Sequence, residues 1–240
     1  MSRPLLILTA VEAEARGLAR GLGLARDVSS PWPRFAGDGT VVLSVGLRAS
    51  QLEERGVWDR ERPALVVSAG ACGGLSPALG EAGALVVPRT VLAPSGAPLT
   101  IDPDAHALAL VAAAAAGVGA ATDPLITTKE IVESPAAKMA LWRETGAIAA
   151  DMESALIVAA AARRGVPALV VRAVSDTAGQ SLPRDLAGLV DDAGRTSPVR
   201  AVALVLRRPA LIYSALALQR GTARALKTIA AVLVKLAASE

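Results

Sequence analysis

The chain has 240 residues, 52% of them hydrophobic but only 2% aromatic, so small aliphatic side chains must fill a substantial core. A single cysteine, Cys72, excludes an internal disulfide, and a single histidine, His106, excludes most zinc sites and any Ser-His-Asp triad not built on it. The net charge of +3 is uneven, since five Arg and two Lys against Glu240 give +6 from residue 198 onward; with Tyr213 its single aromatic, that basic end does not read as a nucleic-acid surface.

In chain order, Leu5–Thr9 (LLILT), Val41–Val45, Ala64–Ser68, Ala84–Val87 and Ala168–Ala173 read as buried strands, being short runs of Leu and β-branched residues without polar alternation. Helical patterns lie between them at Glu12–Leu22, Ser50–Trp58, Asp104–Ala116, Pro135–Glu144 and Glu153–Arg164. The alanine runs at Ala112–Ala116 and Ala159–Ala162 fit helices with small faces, since Ala has the best helix propensity. Ser29–Gly39 (SSPWPRFAGDG) reads as a Pro/Gly-rich loop, and Thr177–Pro198 as a long polar connection. Strands alternating with helices predict one α/β domain, a three-layer αβα sandwich around a mixed, largely parallel sheet. Residues 1–197 would form the catalytic domain, with 198–240 a basic amphipathic helical segment in the same domain or appended to it. No charged-then-apolar leader opens the chain and no uninterrupted apolar run reaches ~18 residues, so a cytoplasmic protein is expected.

In open α/β sheets ligands bind beyond the carboxyl ends of the strands. Four unusual clusters fall at that edge. Glu12 and Glu14 follow the first strand; Gly70, Gly73 and Gly74 follow the third; Asp151 and Glu153 precede a helix; and Asp176 ends the last strand. Each also has a plainer explanation. Acids are favoured in a helix's first turn, Asp151 would cap a helix beginning at Met152, glycines serve turns, and Ser175-Asp176 can start a turn. The carboxylate of Asp176 differs, because it ends so apolar a strand that desolvation would let it act as an acid.

These same stretches carry a resemblance. "SAGACGGLSPALGEAGALVVP", "ADMESALIVAAAARRGVPALVVRAVSDTAG" and "ILTAVEAEA" are similar to the nucleoside phosphorylase superfamily, more narrowly its nucleosidase branch, which includes 5′-methylthioadenosine/S-adenosylhomocysteine nucleosidase and futalosine hydrolase. The stretch "LPRDLAGLVDDAGRTSPVRAVALVLRRPALI" resembles the hopanoid-associated branch, implicated in releasing adenine from adenosylhopane. The resemblance implies cleavage of a purine N-glycosidic bond without cofactor or metal. It casts Glu14 as the base that activates water and Asp176, with Ser175 beside it, as the group that hydrogen-bonds or protonates N7. Glu153, beside Met152, would hold the ribose hydroxyls. Ala71 and Gly73 would line the site, and Ile131 with Val132 would give an aliphatic wall where relatives place a stacking aromatic. A nucleoside is the implied partner and a homodimer or higher homo-oligomer the implied assembly.

Water is the expected nucleophile. Where phosphorylases carry an Arg and a Ser or Thr around the glycine run, this chain has Ser68 and Ala71, and "TAVEAEAR" supplies acids that would repel phosphate. Arg48 is the one nearby cation that could serve a phosphate, unless it is simply an exposed Arg at a helix start. A catalytically silent binding protein is the non-enzyme alternative. The C-terminal pattern places Leu226, Ile229, Val232, Leu233 and Leu236 on one helical face, opposite Arg220, Arg224, Lys227 and Lys235. That face would pack on the core or on a second subunit, or else lie at a membrane surface and deliver a lipid-linked nucleoside.

Overall fold

The computed structural model describes residues 4–182 and 211–238. Its strands are β1 (Leu5–Thr9), β2 (Ala25–Arg26), β3 (Arg34–Gly37), β4 (Thr40–Ser44), β5 (Leu65–Gly74), β6 (Leu85–Val86), β7 (Thr90–Leu92), β8 (Pro98–Thr100), β9 (Ala120–Ala121), β10 (Leu125–Thr127), β11 (Ala149–Asp151) and β12 (Ala168–Asp176). The α-helices are α1 (Glu12–Gly21), α2 (Val57–Glu61), α3 (Pro103–Ala115), α4 (Pro135–Thr145), α5 (Ser154–Arg163) and α6 (Leu211–Ala237). All the strands join one mixed sheet whose centre, β4-β1-β5-β12, is parallel. Every residue of β1, β4 and β12 is buried, as expected of strands covered on both faces. Helices α1 and α3 both pack on α6, which lies along β12, and α5 packs on β5 and β12 to complete the layers.

The decisive feature is β5, which changes partner along its length. Its Leu65–Ser68 half pairs with β1 in parallel, while Gly73 and Gly74 pair with β11 in the antiparallel sense. Strand β12 occupies its other side from Val66 to Gly73. On the side that β1 and β11 share, Ala69–Cys72 has no strand beside it, which opens a crevice in the middle of the sheet. The glycine run read as a turn is therefore strand. Glycine is required there by close approach: a Cβ on Gly70 would lie 2.7 Å from Arg172 Nη1 and 2.9 Å from both Glu14 carboxylate oxygens. A second device sits opposite. The register of β12 slips between Val174 and Asp176, a bulge that lets two consecutive residues, Ser175 and Asp176, reach the same cavity.

Other expectations change. Residues 29–39 contain β3, joined to β4 by an Asp38-Gly39 turn with both φ positive (45° and 73°), the twist that suits a two-residue hairpin. The helix expected over Ser50–Trp58 is replaced by a 3-10 turn at Leu47–Ala49 and the short α2, because Arg48, Ala49 and Gly56 take positive φ and interrupt any continuous helix. Asp151 belongs to β11, and α5 starts at Ser154, one residue after the start of the Glu153–Arg164 pattern and two after the Met152 start that an Asp151 cap implies. At the C-terminus, Gly221, Ala225, Ile229, Val232, Leu233 and Leu236 are buried against the core, while Arg220, Arg224, Lys227 and Lys235 are exposed. The apolar stripe of α6 is thus occupied by the core rather than free for a membrane, and no described helix is long and apolar enough to cross one. The expectations for 183–210, including most of the polar connection and the first part of the +6 segment, fall outside the described residues.

Candidate active site

A cavity of about 310 Å³ lies where β5 changes partner. Glu14, Ala71, Gly73, Ile131, Val132, Met152, Glu153, Ser175 and Asp176 all line it, so the residues picked from sequence converge on one space. Glu12 does not join them; it lies at the surface, bonded to Arg16 at 2.6 Å. The remaining wall is mainly aliphatic, with Val11, Leu47 and Leu182 joined by Leu218 and Leu226 of α6. The helix sits this close because Gly221 touches β12. A Cβ there would fall 1.9 Å from the Ser175 carbonyl oxygen. The expectations for the tail, on the core, on a second subunit or at a membrane surface, do not include this place in the site wall.

One end of the cavity is organised by Arg172, a cation within the otherwise apolar run ALVVRAV of β12 and only 1% exposed. Its Nη2 lies 2.9 Å from Asp151 Oδ2 and 3.8 Å from Glu153 Oε2, and it donates to Ser68 Oγ at 2.9 Å. Its Nε donates to Ser154 Oγ at 3.2 Å. Burial works against the guanidinium charge, but Asp151, Glu153 and Glu14 outweigh it and raise the Arg172 pKa above its ordinary value. Asp151 accepts from Thr127 Oγ1 at 2.7 Å and from the Ser154 amide at 3.2 Å, so it both caps α5 and anchors the arginine.

Glu153 is the residue immediately before α5 and makes no capping bond of its own. Its Oε1 instead accepts the backbone amide of Arg48 at 3.0 Å. Arg48 therefore contributes its peptide, presented by a positive φ of 55°, while its exposed side chain lies outside the cavity wall. Burial pushes the Glu153 pKa up to about 7; Arg172 opposes this and the neighbouring Asp151 charge adds to it. Glu14 accepts the Ala71 amide at 2.8 Å, filling the bonding position that β5 leaves open between its partners. Its Oε2 is buried with no hydrogen-bond partner among the described residues. Burial raises the Glu14 pKa against the pull of Arg172 and the amides of Ala71, Val11 and Ala10. A raised carboxylate with one free oxygen facing a cavity is suited to take a proton from water.

The other end holds Asp176. Its Oδ1 accepts from Ser175 Oγ at 2.7 Å and its Oδ2 from Lys138 Nζ at 2.6 Å. Lys138, on α4, is 1% exposed and was not foreseen: in SPAAKMALW nothing distinguishes it from a surface lysine. Arg172 carried a readable signal, a lone charge in a buried strand. His106 is a core histidine whose Nε2 lies 3.0 Å from the Val87 carbonyl, away from the cavity.

Residues 46–207 match the family model described as the phosphorylase superfamily. The chain is 32% identical over 232 residues to futalosine hydrolase from Streptomyces coelicolor, covering 81% of this chain and 95% of that protein. Among solved structures, it is similar to futalosine hydrolase of Helicobacter pylori, with a TM-score of 0.75 and 16% identity over 99% of this chain and 98% of that one. A 5′-methylthioadenosine/S-adenosylhomocysteine nucleosidase of Colwellia psychrerythraea, in complex with adenine, matches with a TM-score of 0.73 and 18% identity over 99% and 96%. A mutant of the Helicobacter pylori methylthioadenosine nucleosidase, with 5′-methylthioadenosine in its active site, matches with a TM-score of 0.75 and 16% identity over the whole of both chains.

Proposed function

The chain belongs to the phosphorylase superfamily, and on that premise we propose that it hydrolyses the N-glycosidic bond of a purine nucleoside. The observation that carries the reading is the gathering of Glu14, Glu153 and Asp176 on one cavity, supplied by α1, by the link between β11 and α5, and by β12. Cleaving this bond builds positive charge on the ribose and negative charge on the departing base. Glu153 accepts hydrogen bonds from the ribose hydroxyls, Glu14 takes a proton from the attacking water, and Asp176 gives one to N7. Relatives named for hydrolysis, one at 32% identity, favour the same chemistry.

Water is favoured over phosphate by the charge around Arg172. This cation of the cavity wall is engaged by Asp151 and Glu153 and also feels Glu14, so a phosphate dianion would meet carboxylates rather than an available guanidinium. The finer reading is that adenine is released from a nucleoside with an apolar 5′ substituent, adenosylhopane, with methylthioadenosine, S-adenosylhomocysteine and futalosine as the alternatives. The aliphatic wall of Val11, Leu47, Ile131, Val132, Leu218 and Leu226 suits an apolar group. Incubating the protein with adenosylhopane, methylthioadenosine, futalosine and inosine, with and without phosphate, and measuring free base by chromatography tests both levels. Release from at least one nucleoside without phosphate is expected, and its order across the panel identifies the 5′ group. No release from any of them would overturn the assignment.

A further inference from the structure

We propose that Lys138 is a positioning residue for the proton transfer to the base: its ammonium orients Asp176 and balances the charge Asp176 acquires when it gives up its proton. This rests on the reading of Asp176 as the proton donor.

The geometry is specific. A lysine ammonium has three N–H donors, and all three are used: Asp176 Oδ2 at 2.6 Å, the Thr177 carbonyl at 2.9 Å and the Gln180 carbonyl at 2.9 Å. None is left for a ligand, so Lys138 acts through Asp176 and not on the substrate. The two carbonyls belong to the turn that follows β12, which is also closed by Gln180 N to Thr177 O at 3.0 Å and Thr177 N to Gln180 Oε1 at 2.8 Å. One cation thus fixes both the carboxyl group and the backbone leaving it. A buried charge pair is a weak source of stability, because desolvation offsets the attraction and an apolar side chain of similar length often serves the fold as well. A charge kept at 1% exposure against the proposed acid points to chemistry rather than packing.

The step balances as follows. Asp176 passes its proton to N7 as the C–N bond breaks, and the bonding pair goes to the base. The water oxygen bonds to the anomeric carbon and its proton passes to Glu14. The base leaves neutral, and Asp176 remains as a carboxylate beside an ammonium that has neither gained nor lost a proton. Exchange with solvent then discharges Glu14 and recharges Asp176. The groups around Asp176 are Ser175 on β12, the Cys72 thiol of β5 and Lys138 of α4. Further round the same cavity lie Glu14, Asp151, Glu153 and Arg172, and Tyr213 of α6 shares an adjoining cavity with Asp176. Among the described residues, Lys138 is the cation in direct contact with it.

The test uses the full chain with K138Q, K138A and D176N, assayed across pH 5–9 on the panel nucleoside that the wild type turns over fastest. K138Q retains hydrogen-bond donors for the turn but loses the charge. It is expected to keep KM within about threefold and to lower kcat by about 10–100-fold, at or below the low end of a general-acid contribution, as befits a residue that acts through the acid. In K138A, added methylammonium should restore part of kcat while methanol at equal concentration does not. A K138Q kcat within twofold of wild type overturns the inference, as does a K138A kcat that methylammonium does not restore. D176N separates the two levels. If it retains wild-type turnover, the reading of Asp176 itself fails; if it is inactive while K138Q is normal, only the role of Lys138 fails.

Discussion

The two ends of the cavity are built with different charge ratios. Around Arg172, three carboxylates (Glu14, Asp151 and Glu153) share one guanidinium. Around Lys138, one carboxylate, Asp176, faces one ammonium. The first end carries surplus negative charge in a buried setting, which suits a sugar that becomes cationic as its bond to the base breaks. The second is balanced, which suits a proton that must leave one acid and reach one acceptor. On the proposed function, the same fold separates stabilisation of a charge from transfer of a proton.

Substitutions at the two ends should therefore fail differently. The largest effect is expected for Asp176→Asn, whose amide cannot deliver a proton to N7; kcat should fall about 10²–10⁴-fold with the fold intact. Near wild-type turnover would remove the base end from the mechanism. Glu14→Gln is expected to lower kcat to a similar or slightly smaller extent while leaving nucleoside affinity by calorimetry within a few fold, because in the proposed mechanism Glu14 handles water rather than sugar. An equal loss of affinity would merge its role with that of Glu153 and blur the contrast between ends.

Glu153→Gln gives the smallest effect and the sharpest pH signature. With its pKa pushed up to about 7 from an ordinary 4.5, Glu153 binds a proton more readily in the folded than in the unfolded chain. Its contribution to stability is therefore greatest below pH 4.5 and is lost as pH rises through about 7. The glutamine mimics the protonated form. Relative to wild type, E153Q should gain stability between pH 4.5 and 7 and level off above, by at most about 3 kcal/mol for a shift of this size. Function runs the other way. Ionised Glu153 is the better acceptor for ribose hydroxyls, so wild-type KM should rise as pH falls through 7, and E153Q should have a raised KM that is flat over that range. Denaturant melts and steady-state kinetics at the same pH values check both. Parallel stability curves for the two proteins would place the Glu153 carboxylate in a more solvated setting than the cavity wall.

Much of this was legible in sequence, for physical reasons that can be named. LLILT and ALVVRA read correctly because fully buried parallel strands leave an uninterrupted apolar run, and the acids after them stood out against it. Strands β10 and β11, of three residues each, are too short to carry a period, so Asp151 was assigned to a helix start rather than to a strand. The glycines of β5 suggested a turn because their reason lies elsewhere in the chain, in the side chains of Glu14 and Arg172. The hairpin at Asp38-Gly39 carries its usual dipeptide signal, while Pro31 and Pro33 earlier in the same stretch give the composition of a loop. Arg172 was readable as a charge in a buried strand. Lys138 was not: its meaning depends on α4 being brought against the end of β12, 38 residues away, and no local pattern encodes that approach.

The central claim is that surplus carboxylate around Arg172 makes water the nucleophile. It is tested most directly by running the reaction in phosphate-free buffer enriched in H₂¹⁸O and weighing the sugar product by mass spectrometry. Hydrolysis places one ¹⁸O on the ribose product at a rate that added phosphate leaves unchanged. A product appearing only with phosphate, as the ribose 1-phosphate, would contradict it and make Arg172 a phosphate ligand.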